Sequence, residues 1–210
     1  MTKAKKEAAL AKLEEMYPEA KAELVFSNPY EMLVATILSA QCTDKQVNKV
    51  TPAVFERWPD ANAMAGATEE ELYPLVKSCG FRSKAGNIIA ACRIIRDEYG
   101  GQVPCSMEKL TALPGVGRKT ANVVLYNAFG IPAFAVDTHV FRVSNRIGLC
   151  KADTVEETEK QMTRLIPEEK WGEAHHWLIW HGRRVCKAQR PLCDECGLRE
   201  LCDYAKREHR

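Results

Sequence analysis

The chain has 210 residues, 46% hydrophobic and 28% charged, with a formal net charge of +2. That length and balance fit one or two compact globular domains and exclude a chain too polar to bury a core. The longest apolar stretches, such as Met32 to Ala40, fall well short of the roughly 20 residues that span a bilayer, and no apolar signal segment follows the lysine-rich start. A cytoplasmic protein with no membrane association is expected.

Taken in chain order, nearly every segment reads as helix. Ser27 and Asn28 precede Pro29 and an apolar run to Leu38, which is a cap followed by proline in the first helical turn. Thr68 and Glu71 form a capping box ahead of Leu72, Leu75 and Val76, and Gly80 supplies a stop. Ile88, Ala91, Ile95 and Tyr99 recur at helical spacing and end at Gly100 and Gly101. Ser106 is placed to cap a short helix. Further helices are predicted over Lys119 to Phe129, Thr138 to Ile147 and Thr154 to Ile166, the last closed by Pro167. No window shows sustained two-residue alternation, so the fold class is all-α. Pattern alone places no domain boundary.

Charge is uneven along the chain. Arg183, Arg184, Lys187 and Arg190 lie in a stretch without an acid, which suits a phosphate contact and a solvated helix end equally well. Nine cysteines in a chain expected to stay in the cytosol argue against a disulfide framework. Cys42, Cys79, Cys92, Cys105 and Cys150 are scattered and are most simply small buried hydrophobes. Cys186, Cys193, Cys196 and Cys202 instead form a Cys-x6-Cys-x2-Cys-x5-Cys pattern. Four thiolates at that spacing suit either tetrahedral zinc or a cubane cluster, and spacing alone does not choose. His175, His176 and His181 upstream are read as satisfied helix histidines rather than ligands.

The string Leu113-Pro114-Gly115-Val116-Gly117-Arg118-Lys119-Thr120-Ala121 stands between two helical patterns. Glycines one residue apart allow a tight turn and leave amides at a helix start, where a phosphate is favoured. By itself a Gly-x-Gly is an ordinary interhelical turn. The whole string is more specific, because it resembles the helix-hairpin-helix element of the endonuclease III family. Leu38-Ser39-Ala40-Gln41-Cys42-Thr43-Asp44, Val136-Asp137-Thr138-His139-Val140 and the terminal cysteines follow the same family in register, so the resemblance runs from Pro29 to Cys202.

That resemblance implies two helical domains. Residues 21–132 would form a helical barrel with the helix-hairpin-helix, and residues 1–20 with 133–210 would form an iron–sulfur cluster domain, DNA lying in the cleft between them. Lys119 takes the place of the family's nucleophile, which must be partly desolvated, since a free lysine amine near pKa of about 10.4 is almost wholly protonated at neutral pH. Asp137 takes the place of the catalytic aspartate, and it also precedes a helix as an N-cap would. Gly115, Val116 and Gly117, with Lys187 and Arg190, would meet the DNA backbone. Gln41 would fill the gap left by a flipped base, with Phe81 as a second wedge. Asp44 is either a polar residue near the pocket or the N-cap of the helix through Val47. The four terminal cysteines would hold a [4Fe–4S] cluster of structural purpose.

The implied activity is that of a bifunctional DNA glycosylase/AP lyase in base excision repair, a monomer that removes oxidised pyrimidines from damaged double-stranded DNA and nicks the strand by β-elimination. In a bacterium it would be nucleoid-associated. A pyrimidine-dimer glycosylase, a non-enzymatic DNA-binding module and a zinc-stabilised structural protein remain alternatives.

Overall fold

A computed structural model of the chain describes residues 1–208. The described residues are helical throughout, without a strand. The helices are α1 (Lys3–Met16), α2 (Pro29–Ser39), α3 (Asp44–Arg57), α4 (Ala61–Ala65), α5 (Glu69–Val76), α6 (Ser83–Tyr99), α7 (Met107–Thr111), α8 (Arg118–Phe129), α9 (Thr138–Ile147), α10 (Val155–Leu165), α11 (Trp171–Arg184) and α12 (Asp203–Glu208). Short 3-10 turns lie at Lys77–Cys79, Glu168–Lys170 and Cys193–Glu195. No helix among the described residues is long and apolar enough to cross a membrane.

Two compact units result, one formed by Ala22–Ile131 and the other by Met1–Lys21 with the chain from Pro132 onward. The first is built around α2. The Asn28 side chain accepts the Glu31 N–H at 2.9 Å, Pro29 occupies the first turn, and every residue from Met32 to Leu38 is buried. A helix apolar on all sides belongs inside a bundle; α2 accordingly packs against α3, α6 and α8. Truncating fully buried Leu33 to alanine would cost about 2–5 kcal/mol through lost transfer energy and the cavity left behind.

Local chemistry sets most boundaries in this unit. The Thr68–Glu71 capping box is formed, and α6 and α8 end at Gly100 and Gly130, whose φ of +60° and +66° lie in the left-handed region. One expectation is corrected. Thr43, not Asp44, caps α3, its hydroxyl accepting the Gln46 N–H at 3.3 Å. Asp44 is the first helical residue, where its carboxylate faces the positive end of the helix dipole. Both α3 and α5 continue through an internal proline, Pro52 and Pro74, because the buried positions Thr51, Val54, Leu72 and Val76 around them hold the helix together across the missing donor.

In the second unit, Ala9 and Leu13 of α1 pack into a core with Val140, Val143 and Ile147 of α9, Met162 of α10, and Trp177 and Leu178 of α11. The α9 positions recur at helical spacing and line one face. Thr154 caps α10 through the Glu157 N–H at 3.1 Å.

Candidate active site and cysteine centre

The hairpin turn is made by glycine where a side chain would collide. Gly115 has φ +78°, and a Cβ there would stand 2.9 Å from the Asn87 Cβ. Between the glycines, Val116 is buried, and its N–H bonds the Leu113 carbonyl at 3.1 Å. It therefore anchors the turn from inside. Gly117 caps α8 with extended backbone and no side-chain cap, a helix start of the kind that suits an anion. Arg118 and Lys119 begin α8 and are exposed, while Ala121, Asn122, Val124 and Leu125 on its other face are buried. The fold of the chain alone thus does not supply the desolvation expected of Lys119.

Asp137 belongs to the other unit. It is half-buried and is the N-cap of α9, its Oδ1 accepting the Val140 N–H at 2.8 Å. Capping ties down one carboxylate oxygen and leaves acceptor capacity on the group. The strand of chain leading into it, Ala133 to Val136, is buried, and the Ala135 carbonyl lies 2.6 Å from Nδ1 of buried His175 on α11. Two residues beyond Asp137, burial lowers the His139 pKa and the Asp137 carboxylate opposes that shift. Next to His175, burial pushes the His176 pKa down to about 3, reinforced by His175 and Arg183. His176 is held neutral within the helix packing.

The two residues expected to act as wedges, Gln41 and Phe81, are both exposed. Gln41 follows the end of α2 with φ +56°, in the left-handed region that a non-glycine residue seldom adopts. Phe81, 70% exposed, follows Gly80, whose φ is +114°. A phenylalanine this exposed between anchored neighbours has no packing role in the unit.

The four terminal cysteines come together on three different supports. Cys186 lies just beyond α11, Cys193 opens a 3-10 turn, Cys196 closes it, and Cys202 precedes α12. The thiols of Cys193, Cys196 and Cys202 are all pushed up, first by burial and then by the other thiols of the set. Ionising these three therefore calls for a cationic centre beside them. Among the described residues no three His, Cys, Asp or Glu side chains converge on a single metal ion. A set of four cysteine sulfurs with no nitrogen or oxygen ligand among them fits the donor set of a [4Fe–4S] centre.

Arg142 and Arg146, neither singled out in the sequence, fix this loop, and His181 lies against it. Arg146 of α9 donates to the carbonyls of Lys187 and Ala188 at 2.7 and 3.0 Å and to Cys186 Sγ at 3.7 Å. Arg142, one turn earlier, donates to the Cys186 and Gly182 carbonyls at 3.2 and 3.0 Å. His181 Nε2 lies 3.7 Å from Cys196 Sγ, while its Nδ1 meets the Tyr17 hydroxyl at 2.9 Å. With both ends of the loop held, Lys187 and Arg190 stand exposed between them. Of the scattered cysteines, Cys79, Cys92 and Cys150 are buried as expected, but Cys42 is only partly covered and Cys105 is exposed.

Residues 34–168 match the model of the HhH-GPD superfamily base excision DNA repair proteins, and the chain belongs to that class. Residues 186–202 match the iron-sulfur binding domain of endonuclease III. Over 196 residues the chain is 53% identical to endonuclease III of Synechocystis sp., covering 92% of this chain and 90% of that protein. It is 46% identical to endonuclease III of Escherichia coli K12, with 99% of each covered. A trapped endonuclease III–DNA covalent intermediate, an estranged-adenine complex, superposes with a TM-score of 0.96 at 47% identity over 100% of both chains. The chain is therefore a member of the endonuclease III family, a base excision repair DNA glycosylase/AP lyase carrying a [4Fe–4S] cluster.

Proposed function

We propose that the protein removes oxidised pyrimidines such as thymine glycol from duplex DNA through a Schiff base on Lys119, then cuts the strand. Lys119 Nζ attacks C1′ of an extruded nucleotide, and the base departs with the electron pair of the broken C1′–N bond and takes up a proton. Ring opening gives the Schiff base, loss of a C2′ proton follows, and β-elimination expels the 3′ phosphate. The Asp137 carboxylate stabilises the positive charge that grows on the sugar as the base leaves. One of its oxygens is kept in place by the Val140 N–H.

The observation that carries this reading is the placement of Lys119 in the first turn of α8, directly after the Gly115–Gly117 turn and its uncapped amides. A phosphate docked on those amides would bring the amine to the sugars beside it and exclude water from it, so the substrate would supply the desolvation that the chain lacks. The covalent DNA intermediate of the structural relative supports the same chemistry. Lys187 and Arg190 would meet phosphates, and the cluster would hold their loop in shape. Gln41 and Phe81 would occupy the gap in the stack. The units Ala22–Ile131 and Met1–Lys21 with the chain from Pro132 onward support a division into a barrel domain, residues 21–132, and a cluster domain, residues 1–20 with 133–210. The enzyme acts on chromosomal DNA in the cytoplasm, as a monomer.

End analysis on one strand tests this reading. Incubation with a thymine glycol duplex is expected to yield free thymine glycol and a nick bearing a 3′ unsaturated aldehyde. A product carrying a 3′ hydroxyl, or an intact strand with the base gone, would contradict it.

A further inference from the structure

Lys84 is the second residue of α6 and is 8% exposed. A cation there sits near the positive end of its own helix dipole, and burying it is costly unless its donors are met. Neither helix propensity nor solvation accounts for the position. Its contacts do. Nζ reaches the carbonyls of Leu38 at 2.8 Å, Ala40 at 2.5 Å and Cys79 at 2.5 Å. Three acceptors match the three N–H donors of an ammonium.

The acceptors come from two separate places in the chain. Leu38 and Ala40 belong to the last turn and C-cap of α2, directly before Gln41, and Cys79 ends the 3-10 turn directly before Gly80 and Phe81. Carbonyls at helix ends carry partial negative charge and attract a cation. The same two segments touch again alongside. Gln46 Nε2 donates to Ser78 Oγ at 2.8 Å. On the far side of Phe81, Arg82 is paired with Glu69 and Glu70 at 3.2 and 2.7 Å.

We propose that Lys84 is a positioning residue: its ammonium ties the loop carrying Gln41 to the turn carrying Phe81, so that the two side chains enter an opened base stack as one preset pair. This rests on the reading of Gln41 and Phe81 as stack-filling residues. Two exposed side chains on separate loops would each lose freedom on insertion, whereas loops already tied together lose less and present both at a fixed separation. The tie acts on duplex DNA alone, because a single strand has no opposite base to estrange and no gap to fill.

The test compares Lys84→Met, Lys84→Gln, Gln41→Ala and Phe81→Ala with the native enzyme. Single-turnover strand cleavage is measured at one abasic site in a duplex and in the same single strand. A fluorescent adenine analogue opposite the site reports opening of the stack. For Lys84→Met the ratio of duplex to single-strand rates is expected to fall at least tenfold, with loss of the fluorescence rise. Lys84→Gln, which keeps two donors without the charge, should fall between Lys84→Met and native. Gln41→Ala and Phe81→Ala should lower the same ratio. If they do so and Lys84→Met slows both substrates equally, Lys84 serves general stability and the proposal is overturned. Loss of fold in both Lys84 variants would overturn it in the same way. If Gln41→Ala and Phe81→Ala leave the ratio intact while the Lys84 variants lower it, the stack-filling reading of those residues is what fails.

Discussion

One substitution can separate the helix cap that Asp137 forms from the catalytic role proposed for it. Asparagine caps a helix about as well as aspartate, so Asp137→Asn keeps the bond to the Val140 N–H and loses only the favourable meeting of carboxylate and helix dipole. That share is about 0.3–1 kcal/mol. Asp137→Ala removes the cap as well, at about 1 kcal/mol, or about 2–4 °C in Tm for a chain of this size. Catalysis should divide differently. A fixed charge facing a developing oxocarbenium ion is worth on the order of 100- to 1,000-fold in rate, by analogy with the loss of an oxyanion-hole donor. Both variants should therefore lose that much in single-turnover release of thymine glycol, although Asp137→Asn melts close to native. An Asp137→Asn enzyme within threefold of native would show that the cap is the whole role of the residue. Equal destabilisation by asparagine and alanine would refute the capping argument instead.

Affinity for undamaged duplex should fall with added salt, and Lys187→Ala and Arg190→Ala should each flatten the log–log slope by about one; unchanged slopes would remove both residues from the phosphate contacts. Cys193→Ser is expected to lose bound iron and sulfide and to weaken DNA binding, measured by metal analysis beside titration, and normal affinity in an iron-free preparation would contradict a structural cluster. His176 is neutral in the fold down to about pH 3, whereas its unfolded value is 6.5, so the unfolded chain binds the extra proton between them. Stability should thus decline as pH falls from 6.5 toward 3, and His176→Gln should decline less over that window in denaturant titrations; parallel curves would show that His176 is not responsible.

What was legible in the sequence was local. Asn28 before Pro29, the Thr68–Glu71 box, and the glycines at 100 and 130 each act within one helical turn, and a linear string records that chemistry. Thr43 and Asp44 show the limit of such signals, since adjacent residues can both cap and only the backbone decides between them. The α11 histidines and tryptophan gave no clear apolar stripe, because Ala174, His175, His176, Trp177 and Leu178 are all buried. The supports of the site were not legible. Lys84 meets carbonyls 44 and 46 residues away, and Arg142 and Arg146 reach across 40 to 42 residues to Gly182, Lys187 and Ala188. Read along the chain, each is one more surface cation. The motif also suggested a desolvated Lys119, a condition that the folded chain by itself does not create.

The most direct test of the account is borohydride trapping on a duplex carrying a single thymine glycol, run with native enzyme and with Lys119→Ala. A covalent protein–DNA adduct that forms with the native enzyme and vanishes in Lys119→Ala is the expected result. An adduct that persists without Lys119, or base release by the native enzyme with nothing trapped, would contradict a Schiff base on this lysine.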